Sequence, residues 1–181
     1  CKLNFHEELK LIKLSFPVLL QEPSAIYSLP YGWETRALSQ EEMPSHKWMC
    51  VTSPDGVGLS LCNDSKYSFS ALPHPRGAEM RMTIARGAIY ADHFGKRDGL
   101  VEYQDQGEQF FCYTLSADTR VPSVVRRADL LNMPLELLLE THHEGPLAAR
   151  YEGASISQDN IILSAVKQAE DGNGYVLRFR E

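Results

Sequence analysis

Apolar and polar residues alternate with a period of two over most of this chain, the pattern of strands with one face buried. Ile12, Leu14, Phe16 and Val18 alternate with Lys13, Ser15 and Pro17; Val57, Leu59 and Leu61 alternate with Gly58, Ser60 and Cys62. Met80, Met82 and Ile84 do the same with Arg81, Thr83 and Ala85. Shorter runs at 46–52 (HKWMCVT), 66–70 (KYSFS), 109–115 (QFFCYTL) and 134–140 (PLELLLE) are separated by stretches rich in Pro, Gly, Asp and Ser. Near the C-terminus Ile161, Leu163 and Ala165 alternate, as do Tyr175, Leu177 and Phe179. Between them Glu170, Asp171, Gly172, Asn173 and Gly174 supply turn chemistry, so residues 160–180 are expected to form a β-hairpin around Gly172 to Gly174. Helical spacing occurs once: Val124, Val125, Ala128 and Leu131 share a face, with Ser123 as a candidate N-cap and Pro134 as the stop. About ten strands and one short helix predict an all-β fold, an antiparallel β-sandwich.

The chain has 181 residues, 43% hydrophobic and 23% charged, enough to bury a core and read as globular. A net charge of −6 gives no basic footprint, so neither nucleic acid nor an anionic membrane surface is an expected partner. No run approaches the ~18 apolar residues of a membrane span. The opening CKLNFHEELK lacks the shape of a signal peptide. Cys1 and Glu181 both look like cut ends, which predicts a single domain, residues 1–181, excised from a longer protein.

Cys1, Cys50, Cys62 and Cys112 are widely spaced with no CxxC pair, which favours buried free thiols of a cytoplasmic protein over a disulfide. The sequon at Asn63, Asp64 and Ser65 would matter only in a secretory compartment.

Few residues offer chemistry. His142, His143 and Glu144 look like a metal cluster, but Gly145 and Pro146 follow them and place the group in a turn; a solvated loop pair is the preferred reading, and no metal site is expected in this chain. No HExxH and no GxSxG occurs. Asp171, Asn173 and Gly174 echo part of a calcium loop, but the residues after them read as a strand. Tyr31 with Trp33, and Tyr90 with Asp92 and His93, are candidates for a sugar-stacking platform, against the alternative of packing aromatics.

The hairpin sequence NIILSAVKQAEDGNGYVLRFRE resembles the closing strands of the C-terminal β region of glycoside hydrolase family 38, the α-mannosidases. Blocks resembling the same family follow its order along the chain: ELKLIKLSFP (8–17), LPYGWETR (29–36), HKWMCV (46–51), GVGLSLCNDSKYSFS (56–70), MRMTIAR (80–86) and DQGEQFFCYTL (105–115). The resemblance implies a galactose mutarotase-like supersandwich, of the bacterial, cytosol-type branch, that packs on catalytic and helical domains of its own parent. It implies that the parent uses zinc and an aspartate nucleophile to hydrolyse terminal α-mannosyl linkages of mannosides or oligosaccharides with net retention. The family's HHD-type zinc motif belongs to the catalytic half, so His142 and His143 do not inherit it. Zinc is therefore expected in the parent only, no catalytic residue is expected in this chain, and the chain alone is expected to be inactive. Arg86 and the turn of Asp105, Gln106 and Gly107 are the candidates to face substrate, because an arginine at a strand end beside an acidic glycine turn offers directional donors and acceptors to hydroxyls. A structural ion pair closing a loop is the alternative. The sequence departs from the family at ETRAL (34–38) and at His74, Pro75 and Arg76, which leaves the substrate open. A stand-alone carbohydrate-binding module is the rival reading.

Overall fold

The alternating runs lie in strands, and every strand pairing described is antiparallel. The computed structural model describes residues 1–89 and 103–181. In chain order the elements are β1 (Lys2–Phe5), β2 (Leu11–Leu19), β3 (Ser24–Leu29), β4 (Gly32–Arg36), β5 (Met43–Pro44), β6 (Trp48–Thr52), β7 (Gly58–Asn63), β8 (Ser68–His74), β9 (Gly77–Arg86), β10 (Gly107–Phe110), β11 (Tyr113–Ser116), α1 (Val121–Asn132), β12 (Ile162–Gln168) and β13 (Tyr175–Arg180). They fall into two compact units, Cys1–Met133 and Pro134–Glu181.

In the first unit, a five-stranded sheet of order β11-β7-β6-β3-β4 and a four-stranded sheet of order β2-β9-β8-β5 enclose one core. Tyr27, Met49, Val51 and Leu61 come from the first sheet, and Phe69, Met80 and Met82 from the second; all are buried. Burying each such side chain contributes on the order of 1.5–3 kcal/mol, so the alternation is what decides which way each strand faces. The all-β, antiparallel sandwich expected from the sequence is the fold observed.

Strand β6 is buried at four successive positions, Trp48 to Val51, because its outer face is covered as well. Met49 and Val51 face the core, while Trp48 and Cys50 share the other side with their cross-strand partners Cys62 and Ser60. Helix α1 lies over that side: Val124, Val125 and Ala128 are buried, and the Cys62 thiol lies 3.8 Å from the Val124 carbonyl. Pro17 sits in β2 and Pro44 in β5, the two outer strands of the four-stranded sheet, where a residue without an N–H is tolerated.

Five local expectations are corrected. The run 109–115 is two strands, because β10 pairs with β1 and β11 with β7, and the chain changes partner at Phe111 and Cys112. Residues 134–140 form no strand despite their apolar run: Leu135, Leu137, Leu138 and Leu139 are at least 80% exposed. Helix α1 starts one turn earlier, after Arg120 with Pro122 in its first turn, and Ser123 donates its hydroxyl to Asp118 Oδ2 (2.5 Å) instead of capping. Cys50 and Cys62 are buried free thiols, whereas Cys1 and Cys112 are exposed ones. In the second unit, Ser164 is an extra residue in β12. Leu163 opposes Phe179, but Ala165 opposes Arg178 and Val166 opposes Leu177, so Val166 takes the place on the apolar face that strict alternation gives to Ala165.

The hairpin itself forms where expected. Ala169 N–H donates to Gly174 O (3.0 Å), Gly172 N–H donates to Ala169 O (2.9 Å), and Gly172 and Gly174 have φ of 75° and 105°, a region open to glycine.

Candidate functional site

Strand β9 ends at Arg86 because the chain must turn back against the β1–β2 connection. Gly87 N–H donates to Lys10 O and Leu9 N–H donates to Gly87 O, both at 2.7 Å. A side chain at Gly87 would collide with the Glu7 carbonyl, so the close approach requires glycine. The returning chain is fixed on the same strand end: Gln104 N–H donates to Ala88 O (2.8 Å), and Arg86 N–H donates to Asp105 Oδ2 (3.0 Å). Asp105 holds a φ of 53°, and Gly107 one of 87°. A left-handed aspartate costs about 1 kcal/mol or more, and the hydrogen bond to Arg86 is the compensation the structure shows.

Arg86 and Asp105 thereby line one hollow of about 260 Å3, with Lys66, Tyr67, Thr83 and Gln109 among its other walls. It is the main chain of Arg86, not its guanidinium, that holds the Asp105 carboxylate, so the turn is closed without the side-chain ion pair considered from sequence. Gln106 points elsewhere: its Nε2 donates to Gln104 O (3.0 Å) and Glu7 O (3.2 Å). Gln106 and Gly107 shape the turn but are absent from the lining of the hollow.

Through Thr83 the hollow is linked to an ion pair outside its lining. Thr83, nearly buried, donates its hydroxyl to Glu42, which also accepts from Lys13 Nζ at 2.8 Å. Burial pushes the Glu42 carboxyl up, but the hydrogen bonds from Lys13 and Thr83 outweigh it and hold the group below its usual value. Sequence reasoning missed Glu42, Lys13 and Thr83, since residues 41 and 70 positions apart carry no shared motif. Such a hollow offers a fixed carboxylate, a guanidinium, an ammonium on Lys66 and a half-exposed ring on Tyr67, donors and acceptors of the kind that hydroxyl-rich molecules use.

The remaining candidates are not gathered there. Tyr31 is 72% exposed at a φ of 66° in the β3–β4 turn, and Trp33 is half exposed on the outer strand β4; neither lines this hollow. Tyr90, Asp92 and His93 lie outside the described residues. His143 stands in the second unit, exposed, with Nδ1 3.1 Å from Glu144 O and Nε2 3.9 Å from Glu140. Among the described residues no three His, Cys, Asp or Glu side chains are grouped to hold a metal ion. Nor is any helix among them long and apolar enough to cross a membrane.

A family model described as glycosyl hydrolases family 38 C-terminal domain matches residues 1–94. Alpha-mannosidase 2C1 of Homo sapiens is 28% identical over 194 aligned residues, covering 99% of this chain and 17% of its own length. Alpha-mannosidase 2C1 of Mus musculus is 26% identical, covering 93% of this chain and 16% of its own length. Alpha-mannosidase G of Dictyostelium discoideum is 24% identical over 98% of this chain and 16% of its own length. The chain thus spans about a sixth of the length of the curated relatives it matches.

Proposed function

Because the chain belongs to the family 38 glycosyl hydrolase C-terminal domains, we propose that it is the β region of a retaining, zinc-dependent α-mannosidase. On this reading the parent hydrolyses terminal α-mannosyl linkages in mannosides or oligosaccharides, in the cytoplasm. The observation that carries the proposal is that alignment to three α-mannosidases runs through nearly the whole chain. The four free cysteines agree with a reducing compartment.

The roles divide by chemistry. A retaining glycosidase needs a nucleophile and an acid held at a set separation across the sugar. Zinc, when bound to the parent, supplies a Lewis acid that grips sugar hydroxyls. On this reading the chain acts as scaffold, packing on the parent's catalytic and helical domains. The Arg86 and Asp105 hollow contributes donors and acceptors at the edge of the sugar pocket.

The test is hydrolysis of an aryl α-mannoside by the full-length parent, before and after zinc chelation, beside the 181-residue chain alone. Chelator-sensitive turnover with net retention in the parent, and none in the chain, is the expected result. Robust turnover by the isolated chain would overturn the scaffold role, and a parent indifferent to chelation would remove zinc from the mechanism.

A further inference from the structure

At the other end of β9 lies a second and larger hollow, of about 620 Å3, walled by three connections of the sandwich. Leu19 ends β2, Gln21 and Glu22 come from the β2–β3 connection, Asp55 and Val57 from the β6–β7 turn, and Arg76 from the β8–β9 turn. Arg76 precedes and Arg86 ends the ten-residue strand β9, about 30 Å of extended chain, so this hollow and the one described above are separate places on one rigid strand. Its volume falls within the ~300–1,000 Å3 of small-molecule sites, whereas the other falls just below.

The walls are fixed before any ligand arrives. Leu20 N–H donates to Arg76 O (3.1 Å), and a side chain on Gly77 would collide with the Val18 carbonyl, so the two connections are locked edge to edge. In the 53–57 turn, Ser53 N–H and Ser53 Oγ both donate to Val57 O (2.9 Å each), Val57 N–H donates to Asp55 Oδ1 (3.2 Å), and Thr119 donates to Gly56 O (2.8 Å). Glu22 is held at a φ of 47°, left-handed backbone that a glutamate rarely adopts. Strain of this kind persists where surrounding structure enforces it, and it gathers at binding sites. Among the described residues the Arg76 guanidinium has no carboxylate partner, although Glu22 and Asp55 line the same hollow. Leu19 and Val57 present apolar surface there, 62% and 59% exposed.

We propose that this hollow is a second binding site, for a neutral oligosaccharide. Two carboxylates disfavour an anion and the guanidinium disfavours a cation, while a ligand bearing hydroxyls and apolar ring faces uses every group present. Arg76 and Gln21 donate to hydroxyl oxygens, Glu22 accepts from hydroxyl protons, and Leu19 and Val57 lie against the C–H face of a ring. Pro75 and Arg76 form the turn between β8 and β9 that delivers the guanidinium. The site involves no turnover, so it stands or falls apart from the mannosidase reading.

The test is a two-dimensional amide NMR titration of the 181-residue chain with α-linked mannobiose, and with cellobiose as a differently linked neutral disaccharide. Saturable shifts confined to residues 19–22, 53–57 and 74–77 are expected with at least one of the two. Arg76→Gln and Glu22→Gln should each weaken binding about tenfold, a loss of about 1.4 kcal/mol, while leaving the rest of the spectrum in place. Should one variant unfold, the other still decides. No shift at millimolar sugar, shifts at residues 65–68 and 105–110 instead, or affinity unchanged in both folded variants would overturn the proposal.

Discussion

The Arg86 amide donates to the Asp105 carboxylate across 19 residues of sequence, and this one hydrogen bond sets where the Arg86 guanidinium begins. Because the bond uses the main chain, Arg86→Ala leaves the turn intact. In the full-length enzyme Arg86→Ala should lower kcat about ten- to a thousandfold, the scale of removing a positioned donor, with Tm of the β region unchanged. Asp105→Ala should instead lower both activity and Tm, since the turn loses its tie. Steady-state kinetics with calorimetry on the two variants separate these outcomes, and unchanged kinetics in a folded Arg86→Ala enzyme would leave that arginine a purely structural part.

Ser28 is buried, and its hydroxyl oxygen accepts from three successive backbone amides, those of His46, Lys47 and Trp48, at 2.9 to 3.1 Å. Ser28→Ala removes this shared acceptor: His46 N–H keeps the Ser28 carbonyl (2.9 Å), but the Lys47 and Trp48 amides lose the hydroxyl, that of Trp48 in a buried site. The expected cost is about 2 kcal/mol, a fall of roughly 4–8 °C in Tm for a chain of this size. Thermal unfolding followed by circular dichroism checks it; a Tm within a degree of the parent would show that water takes over the acceptor role.

Among the described residues four carboxylates are held below their ordinary range: Asp118 by Arg120 and Ser123, Asp55 by Ser53, Glu79 by Arg81, and Glu42, against the upward push of burial, by Lys13 and Thr83. A depressed folded value means the ionised form favours the fold, so this stabilisation is complete above the unfolded values near 4 and drains away as pH falls through the folded ones. Tm should therefore be flat between about pH 5 and 7 and drop steadily below about pH 4. Asp118→Asn should lower Tm at pH 7 and flatten the acid limb; an acid limb identical to that of the parent chain would remove Asp118 from the account.

Burial pushes the Cys50 thiol up to about 12, and its neighbour Cys62 is raised as well. Cys1 and Cys112 are exposed. A thiol reagent at pH 8 should titrate two cysteines in the native chain and four in denaturant. Rapid reaction of all four without denaturant would mean that α1 lifts readily from β6 and β7.

Strand identity was legible wherever one face is buried, as at Met80, Met82 and Ile84, because burial alone enforces a period of two. Legibility failed where partners rather than faces decide. Ser164 shifts the register of β12 although its neighbours still alternate, and 109–115 divides because its two halves answer to different strands. The leucines of 134–140 form an apolar run yet join no strand. Of the site, Arg86 and Asp105 were readable as an arginine near an acidic glycine turn. Glu42, Lys13 and Thr83 come together only through sheet pairing, and the Arg76 hollow depends on three connections meeting at one end of the sandwich.

Pro17 and Pro44, one on each outer strand of the four-stranded sheet, deny a visiting strand two of the amides it would need to continue the ladder. A protein whose sheets end in exposed hydrogen-bonding edges risks templating its own aggregation, above all during synthesis when neighbouring chains are unfolded. The two prolines make this sheet self-limiting, so replacing both with valine should leave the monomer folded and yet shorten its lifetime in concentrated solution, visible as growing light scattering.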